Sequence, residues 1–248
     1  MKNIIDPLAL RKNFISARQG ADYRHLIKAN SRFFVLKRIS DILISSLFII
    51  FVLSWLIPIV AFCIKVSSKG PVFFAQKRTG KGGKPFMCLK FRTMILNKDA
   101  DTKQATENDR RITKLGNFLR KTNIDELPQF INVLTGEMSL IGPRPHMLAD
   151  CNMFSEAIPG YKLRNFVKPG ITGLAQSKGY KGATSNFESM FRRYQYDIFY
   201  VRNASFLLDL SIIRHTIRQQ VSSSPKPNKP RKFFRKREPV APVREIAA

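Results

Sequence analysis

Between Ile42 and Ile64 the chain runs for 23 residues without a charged side chain, ILISSLFIIFVLSWLIPIVAFCI, interrupted by Ser45, Ser46, Ser54 and Pro58. As a helix this stretch would be about 35 Å long, enough to cross a hydrocarbon core of about 30 Å. Core helices of soluble domains are rarely apolar on every face over such a length. The run therefore predicts a membrane segment. Arg32, Lys37 and Arg38 precede it, and Lys65, Lys69, Lys77, Arg78, Lys81 and Lys84 follow it. Positive charge accumulates on the cytoplasmic side of a membrane segment, and here both flanks claim that side. Pro58 also removes the hydrogen bond to the Ser54 carbonyl and invites a kink. Two geometries fit these residues: a kinked single span, and a re-entrant helix–break–helix that dips into one leaflet.

Charge narrows the partners. The 248 residues hold 43 Lys and Arg against 17 Asp and Glu, a formal net charge of +26, yet 44% of them are apolar. That apolar share excludes a wholly disordered basic protein. The excess charge implies polyanions: nucleic acid, an anionic membrane surface or phosphorylated substrates. A basic nucleic-acid-binding or membrane-associated protein without catalysis is the rival reading. For nucleic acid it lacks a recognisable binding module and leaves the apolar run unexplained. The cysteines at 63, 88 and 151 and the histidines at 25, 146 and 215 have neither disulfide nor zinc spacing, which fits a reducing cytosolic setting.

The periodicity predicts a mainly α fold with a small β-hairpin. PVFFAQ and PFMCLKFRTM flank the turn-forming TGKGGK, which reads as that hairpin. Leu115, Phe118 and Leu119 mark a short amphipathic helix, and Leu127, Phe130, Ile131 and Leu134 a second one closed by Gly136. A third covers 187–201, and a fourth, over 206–221, has the composition of an interface-lying helix. The expected organisation is a basic arm over 1–32, a membrane helix over 33–66, a domain over 67–221, and a tail over 222–248. That tail carries eight Lys/Arg against two Glu and predicts a disordered polybasic segment suited to anionic lipid.

Asp125 and Glu126 open the second amphipathic helix. Acids favour a helix N-terminus, and Thr122 with Asp125 resembles a capping box, so a structural role is the bland reading. Arg110, Arg111, Lys114, Arg120 and Lys121 crowd the preceding stretch, a setting that keeps a carboxylate ionised and gathers phosphates beside it. Arg144 lies between Pro143 and Pro145, and Pro145 restricts it to extended conformations, which reads either as a rigid turn with a surface arginine or as a pre-oriented bidentate phosphate ligand. Lys90 and Arg92 alternate with Phe91 on the presumed strand and would share one face.

KRISD, QKRTGKGGKPF, KFRTM, RRITKLGNFLRKTNIDELPQFINVLTGEMSLIGPRP, KPGITGLAQ and DIFYVRNASFLLDL occur here in that order, over about residues 33–220. In these motifs the chain resembles the bacterial sugar transferases, the monotopic polyprenyl-phosphate phosphoglycosyl transferases that start exopolysaccharide, O-antigen and glycoprotein assembly. The resemblance implies transfer of a sugar 1-phosphate from a UDP-sugar to polyprenyl phosphate, with UMP released. It implies Asp125 as the nucleophile, Glu126 as its dyad partner, and Mg²⁺ near Asp125 and the diphosphate. Arg120 and Arg144 match phosphate-binding positions, Lys90 and Arg92 are further candidates, and Asp197 matches an acidic position of the active-site region. The resemblance also implies a re-entrant helix with the catalytic domain on the cytoplasmic face of the bacterial inner membrane. The family often breaks that helix at adjacent Ser-Pro, whereas Ser54 and Pro58 are four apart, which leaves the place of the break open. SKGYKGAT after GLAQ is similar to the hexose 1-phosphate enzymes and favours a hexose over an acetamido sugar. No nucleic-acid partner is expected, and a homo-oligomer is left open.

Overall fold

A computed structural model describes residues 23–25, 27–96, 109–180 and 187–221 of the chain. The expected polybasic tail, and the basic arm up to residue 22, lie outside the described residues. The architecture is mostly helical, with one long apolar helix near the N-terminus and a two-stranded antiparallel hairpin.

The apolar run forms part of an uninterrupted helix over Ser31–Ser67. It comprises α1 (Ser31–Phe48), a wider π-helical turn (Ile49–Leu53) and α2 (Ser54–Ser67). Where the sequence left a kinked span and a helix–break–helix both open, the backbone is continuous, and its irregularity lies just upstream of Ser54 and Pro58. The Ser54 amide reaches back five residues to the Ile49 carbonyl. Ser54 Oγ and Trp55 Nε1 donate to the carbonyls of Ile50 and Phe51 at 2.5 and 2.8 Å. Side-chain donors serve the carbonyls of the widened turn, so the helix passes through it without ending.

One face of this helix is bonded to the remainder of the protein along nearly its whole length. Lys37 Nζ donates to Asp209 Oδ2 at 2.8 Å, and the Leu140 amide donates to Asp41 Oδ1 at 3.1 Å. Phe48 stacks on Phe130 with ring centroids 4.0 Å apart. Near the other end Val60 and Ile64 pack with Phe91 and Leu119. The opposite face leaves Leu43, Leu47, Phe51, Trp55, Phe62 and Val66 exposed.

The hairpin pairs β1 (Phe73–Thr79) with β2 (Pro85–Phe91), Phe74 opposite Lys90 and Arg78 opposite Phe86. Then come α3 (Lys114–Thr122), a 3₁₀ turn (Ile124–Glu126) and α4 (Gln129–Thr135). Asn132 of α4 fastens this layer to the hairpin: its amide accepts from the Leu89 N–H and donates to the Met87 carbonyl at 2.9 and 2.8 Å. A parallel pair absent from the sequence expectation, β3 (Ser139–Ile141) and β4 (Gly170–Thr172), brackets α5 (Leu148–Ala157) and a 3₁₀ stretch (Tyr161–Phe166). The short α6 (Leu174–Ser177) leads to α7 (Phe187–Asn203) and α8 (Phe206–Val221), close to the two helices expected there. The largest core joins Ile141, Leu163, Val167, Tyr200, Val201 and Ile212 to Phe33 of α1.

Candidate active site

The acidic pair lies on the 3₁₀ turn and does not cap a helix. Asn123 adopts the left-handed conformation (φ 56°) that ends α3, and the Thr122 hydroxyl donates back to the Phe118 and Leu119 carbonyls. Thr122 is therefore occupied within its own helix, and the capping box does not form. Asp125 is 7% exposed, and its carboxylate has no hydrogen bond or ion pair among the described residues. A buried carboxylate without a partner is costly in a purely structural role.

Glu126 has the opposite environment. Arg144 grips it with both terminal nitrogens, Nη2 to Oε1 at 2.6 Å and Nη1 to Oε2 at 3.1 Å, while Lys90 Nζ donates to Oε1 at 2.6 Å. Burial alone would raise the Glu126 carboxyl, but Arg144 and Lys90 overcome it and hold the group well below the ordinary value of 4.5. For Asp125 burial wins: it pushes the carboxyl from 3.8 up to about 6, against the pull of Lys90, Arg120 and Arg144. The cations that the sequence places beside this carboxylate favour its ionised form, and desolvation opposes them. Two adjacent carboxylates are thus tuned apart, one locked as an anion and one poised just below neutral pH.

Arg144 owes its placement to a rigid loop. The carbonyls of Pro143, Arg144, Pro145 and His146 each accept a hydrogen bond, from Gly170 N, Arg164 Nη2, Arg78 Nη1 and Thr79 N. The first of these needs close backbone approach: a Cβ on Gly170 would lie 2.1 Å from the Gly142 nitrogen. Arg164, sealed inside the domain, also binds Asp197 Oδ2 through Nε and Nη2 at 2.9 and 2.7 Å.

Of the residues expected at the site, the structure joins Asp125, Glu126, Lys90 and Arg144, with Arg120 close enough to act electrostatically on Asp125. Two lie elsewhere. Arg92 falls just beyond β2, where its guanidinium donates to the carbonyls of Ser68 and Lys69 at the end of α2. The strand alternation that would pair it with Lys90 stops at Phe91. Asp197 is buried behind the Arg144 loop, where its partner Arg164 bonds the Arg144 carbonyl. Arg164 and Arg78 were missed as site-shaping residues, because nothing in KLRNF or QKRTG says which carbonyl a lone arginine meets. His146 is also buried, shares a 2.6 Å hydrogen bond with the Tyr161 hydroxyl, and stays neutral. Burial first, then the surrounding arginines, keeps its imidazole well below the ordinary range.

No cluster of three or more His, Cys, Asp or Glu side chains suited to a metal occurs among the described residues. Mg²⁺, however, commonly takes one or two carboxylates and completes its shell with water and substrate phosphate. The unpartnered Asp125 carboxylate fits that donor set, whereas both Glu126 oxygens are already engaged.

A family model described as bacterial sugar transferase matches residues 32–223. A Klebsiella pneumoniae protein named UDP-glucose:undecaprenyl-phosphate glucose-1-phosphate transferase is 50% identical over 184 residues, which are 74% of this chain and 39% of that protein. A Caulobacter vibrioides protein of the same name is 43% identical over 73% of this chain and 68% of its own length. An Aeromonas hydrophila protein named UDP-N-acetylgalactosamine-undecaprenyl-phosphate N-acetylgalactosaminephosphotransferase is 43% identical over 64% of this chain and 37% of its own. The matched segment spans about two-fifths of the Klebsiella protein. By the extent of the family match and the order of its motifs, the chain belongs to the bacterial sugar transferase family.

Proposed function

We propose that this chain transfers a hexose 1-phosphate from a UDP-hexose to undecaprenyl phosphate through a phosphosugar–Asp125 intermediate, as the first step of a surface polysaccharide. The observation that carries this reading is the unpartnered, buried Asp125 carboxylate beside a Glu126 held by Arg144 and Lys90. A carboxylate midpoint at about 6 leaves roughly nine-tenths of the groups ionised at pH 7, so Asp125 attacks phosphorus without a general base. One Asp125 oxygen bonds to the sugar-linked phosphorus, the bond from that phosphorus to the bridging oxygen breaks, and UMP leaves with that oxygen. A phosphate oxygen of the lipid then attacks the same phosphorus and expels the Asp125 carboxylate, giving polyprenyl-diphosphate-hexose.

Glu126 fixes the direction of Arg144 and Lys90, each of which keeps further N–H donors for phosphate oxygens. The pinned loop means that this arrangement needs no reorganisation at the moment of reaction. Mg²⁺, held by Asp125 and the diphosphate, would supply neutralisation of phosphate charge. Hexose as the donor sugar is supported by the two relatives named for UDP-glucose, while the Aeromonas relative keeps an acetamido sugar as the alternative.

The membrane geometry is part of the proposal. A helix held to one body at Lys37, Phe48 and Ile64 cannot cross a bilayer without taking the part of that body packed along it into hydrocarbon. A helix seated in one leaflet, with its exposed row in lipid and the domain on the cytoplasmic side, avoids that cost. The test is turnover of purified protein with UDP-glucose, undecaprenyl phosphate and Mg²⁺. UMP and lipid-linked glucose should form in equal amounts, and a panel of UDP-sugars giving no product in either phase refutes the reading.

A further inference from the structure

A cavity of about 90 Å³ lies away from Asp125, between α1, β3, the hairpin turn and the KPG turn at 168–170, and none of the dyad or its clamping residues lines it. One water needs roughly 10–15 Å³ by this measure, so a group of about five heavy atoms fits. Lys37, Arg38, Lys81 and Lys168 all face it. Asp41 is the carboxylate in its wall, and Asp209 pairs with Lys37 from behind at 2.8 Å. Arg38 reaches the last carbonyls of α4, Val133 and Leu134, at 2.5 and 2.9 Å. Four cations against two carboxylates leave an excess of two positive charges.

The excess falls on Lys168 and Lys81. Lys168 is half-buried and has no hydrogen bond or ion pair among the described residues. A Cβ on Gly136 would lie 3.2 Å from Arg38 Nη2 and 3.5 Å from Lys168 Nζ, so the two cationic heads share one small space. Desolvation, with Arg38 and Lys81 adding repulsion, lowers the Lys168 ammonium from 10.5. Ser139, 3% exposed and in the same wall, has a buried hydroxyl with no hydrogen-bond partner. Crowded cations and an orphaned hydroxyl around one cavity are what an absent anion leaves behind.

We infer that this cavity binds a phosphate monoester group, held by Lys168, Lys81, Arg38 and the Ser139 hydroxyl. Such a group carries about −1.5 to −2 at neutral pH, which matches the excess of two. A single carboxylate would leave half of it unbalanced. Binding there would tie α1, the end of α4 and the KPG turn together. The inference does not depend on the reaction assigned to Asp125. Its source is either a lipid headgroup, since α1 forms one wall, or a free phosphate from solution.

The test uses the full chain purified in a phosphate-free zwitterionic detergent. Inorganic phosphate is titrated while melting temperature and heat of binding are followed. A parallel arm reconstitutes the protein in phosphatidylcholine nanodiscs with and without phosphatidic acid. A response to free phosphate that survives Arg144→Gln and weakens at least tenfold in Lys168→Gln supports a soluble ligand. A response confined to phosphatidic acid and lost in Lys168→Gln supports a lipid headgroup. Without ligand, Lys168→Gln should melt no lower than wild type, because it relieves repulsion; Lys168→Arg should restore the ligand response. Should Lys168→Gln fail to fold, Ser139→Ala, which weakens the response and spares the fold, carries the test. No response in either arm, or one indifferent to Lys168 and Ser139, overturns the inference.

Discussion

Replacing Asp125 with Asn should stabilise the folded protein at neutral pH even as it removes the nucleophile. Burial raises the carboxyl from 3.8 to about 6. Because the folded midpoint is the higher one, the unfolded chain releases this proton first. The folded state therefore loses stability as pH rises from about 4 to 6, and the full deficit persists above pH 6. At ~1.36 kcal/mol per pH unit the deficit is about 3 kcal/mol. Asn is nearly isosteric and has no charge to desolvate, so Asp125→Asn should recover up to about 3 kcal/mol at pH 7 and nothing near pH 4. For a domain of this size that is a rise in Tm of up to roughly 6–12 °C. The assay is thermal unfolding of both proteins in detergent at pH 7 and pH 4.5. A variant that melts below wild type at pH 7, or a gap that does not shrink on acidification, would refute the argument that this site is held at the expense of stability.

Further outcomes can be checked separately. UMP release under kcat/KM conditions should fall about tenfold per pH unit below pH 6, as Asp125 takes up its proton; a flat profile down to pH 5 would contradict the assigned nucleophile. Asp197→Asn strips the sealed Arg164 guanidinium of its carboxylate, so denaturant titration should show a loss of about 3–5 kcal/mol, with KM for the UDP-sugar rising as the Arg144 loop loosens. Gly170→Ala drives a methyl group into the Gly142 nitrogen, backbone against backbone, and should prevent recovery of folded protein. With Cys63 replaced by Ala, cysteines at Lys28 and Lys69 should both resist an impermeant thiol reagent applied to intact cells, and labelling of either one would restore a spanning helix.

Much of this architecture was legible because it rests on local patterns. The hairpin announced itself through its glycine–lysine turn, and the helices over 187–203 and 206–221 through their apolar spacing. The strands Ser139–Ile141 and Gly170–Thr172 were hidden, since three residues show no alternation and their partners lie about thirty positions apart. The place of the helix irregularity stayed open in the sequence, which shows Pro58 but not the Ser54 and Trp55 donors that carry the helix through a π turn. At the site, Lys90, Glu126 and Arg144 stand in recognisable motifs, yet their mutual contacts depend on how the hairpin meets the loop. Arg92 shows the converse: a residue in the right motif whose strand ended one position too early.

The central claim is that Asp125 carries the phosphosugar. Incubating the purified protein with UDP-glucose and Mg²⁺ in the absence of lipid, followed by intact-mass and peptide analysis, tests it most directly. UMP should appear once per enzyme molecule and then stop, with a hexose phosphate on the peptide that contains Asp125. It should be discharged on adding undecaprenyl phosphate and absent from Asp125→Asn. Continued turnover by Asp125→Asn, or product formed from both substrates with no adduct at any time, would contradict the account.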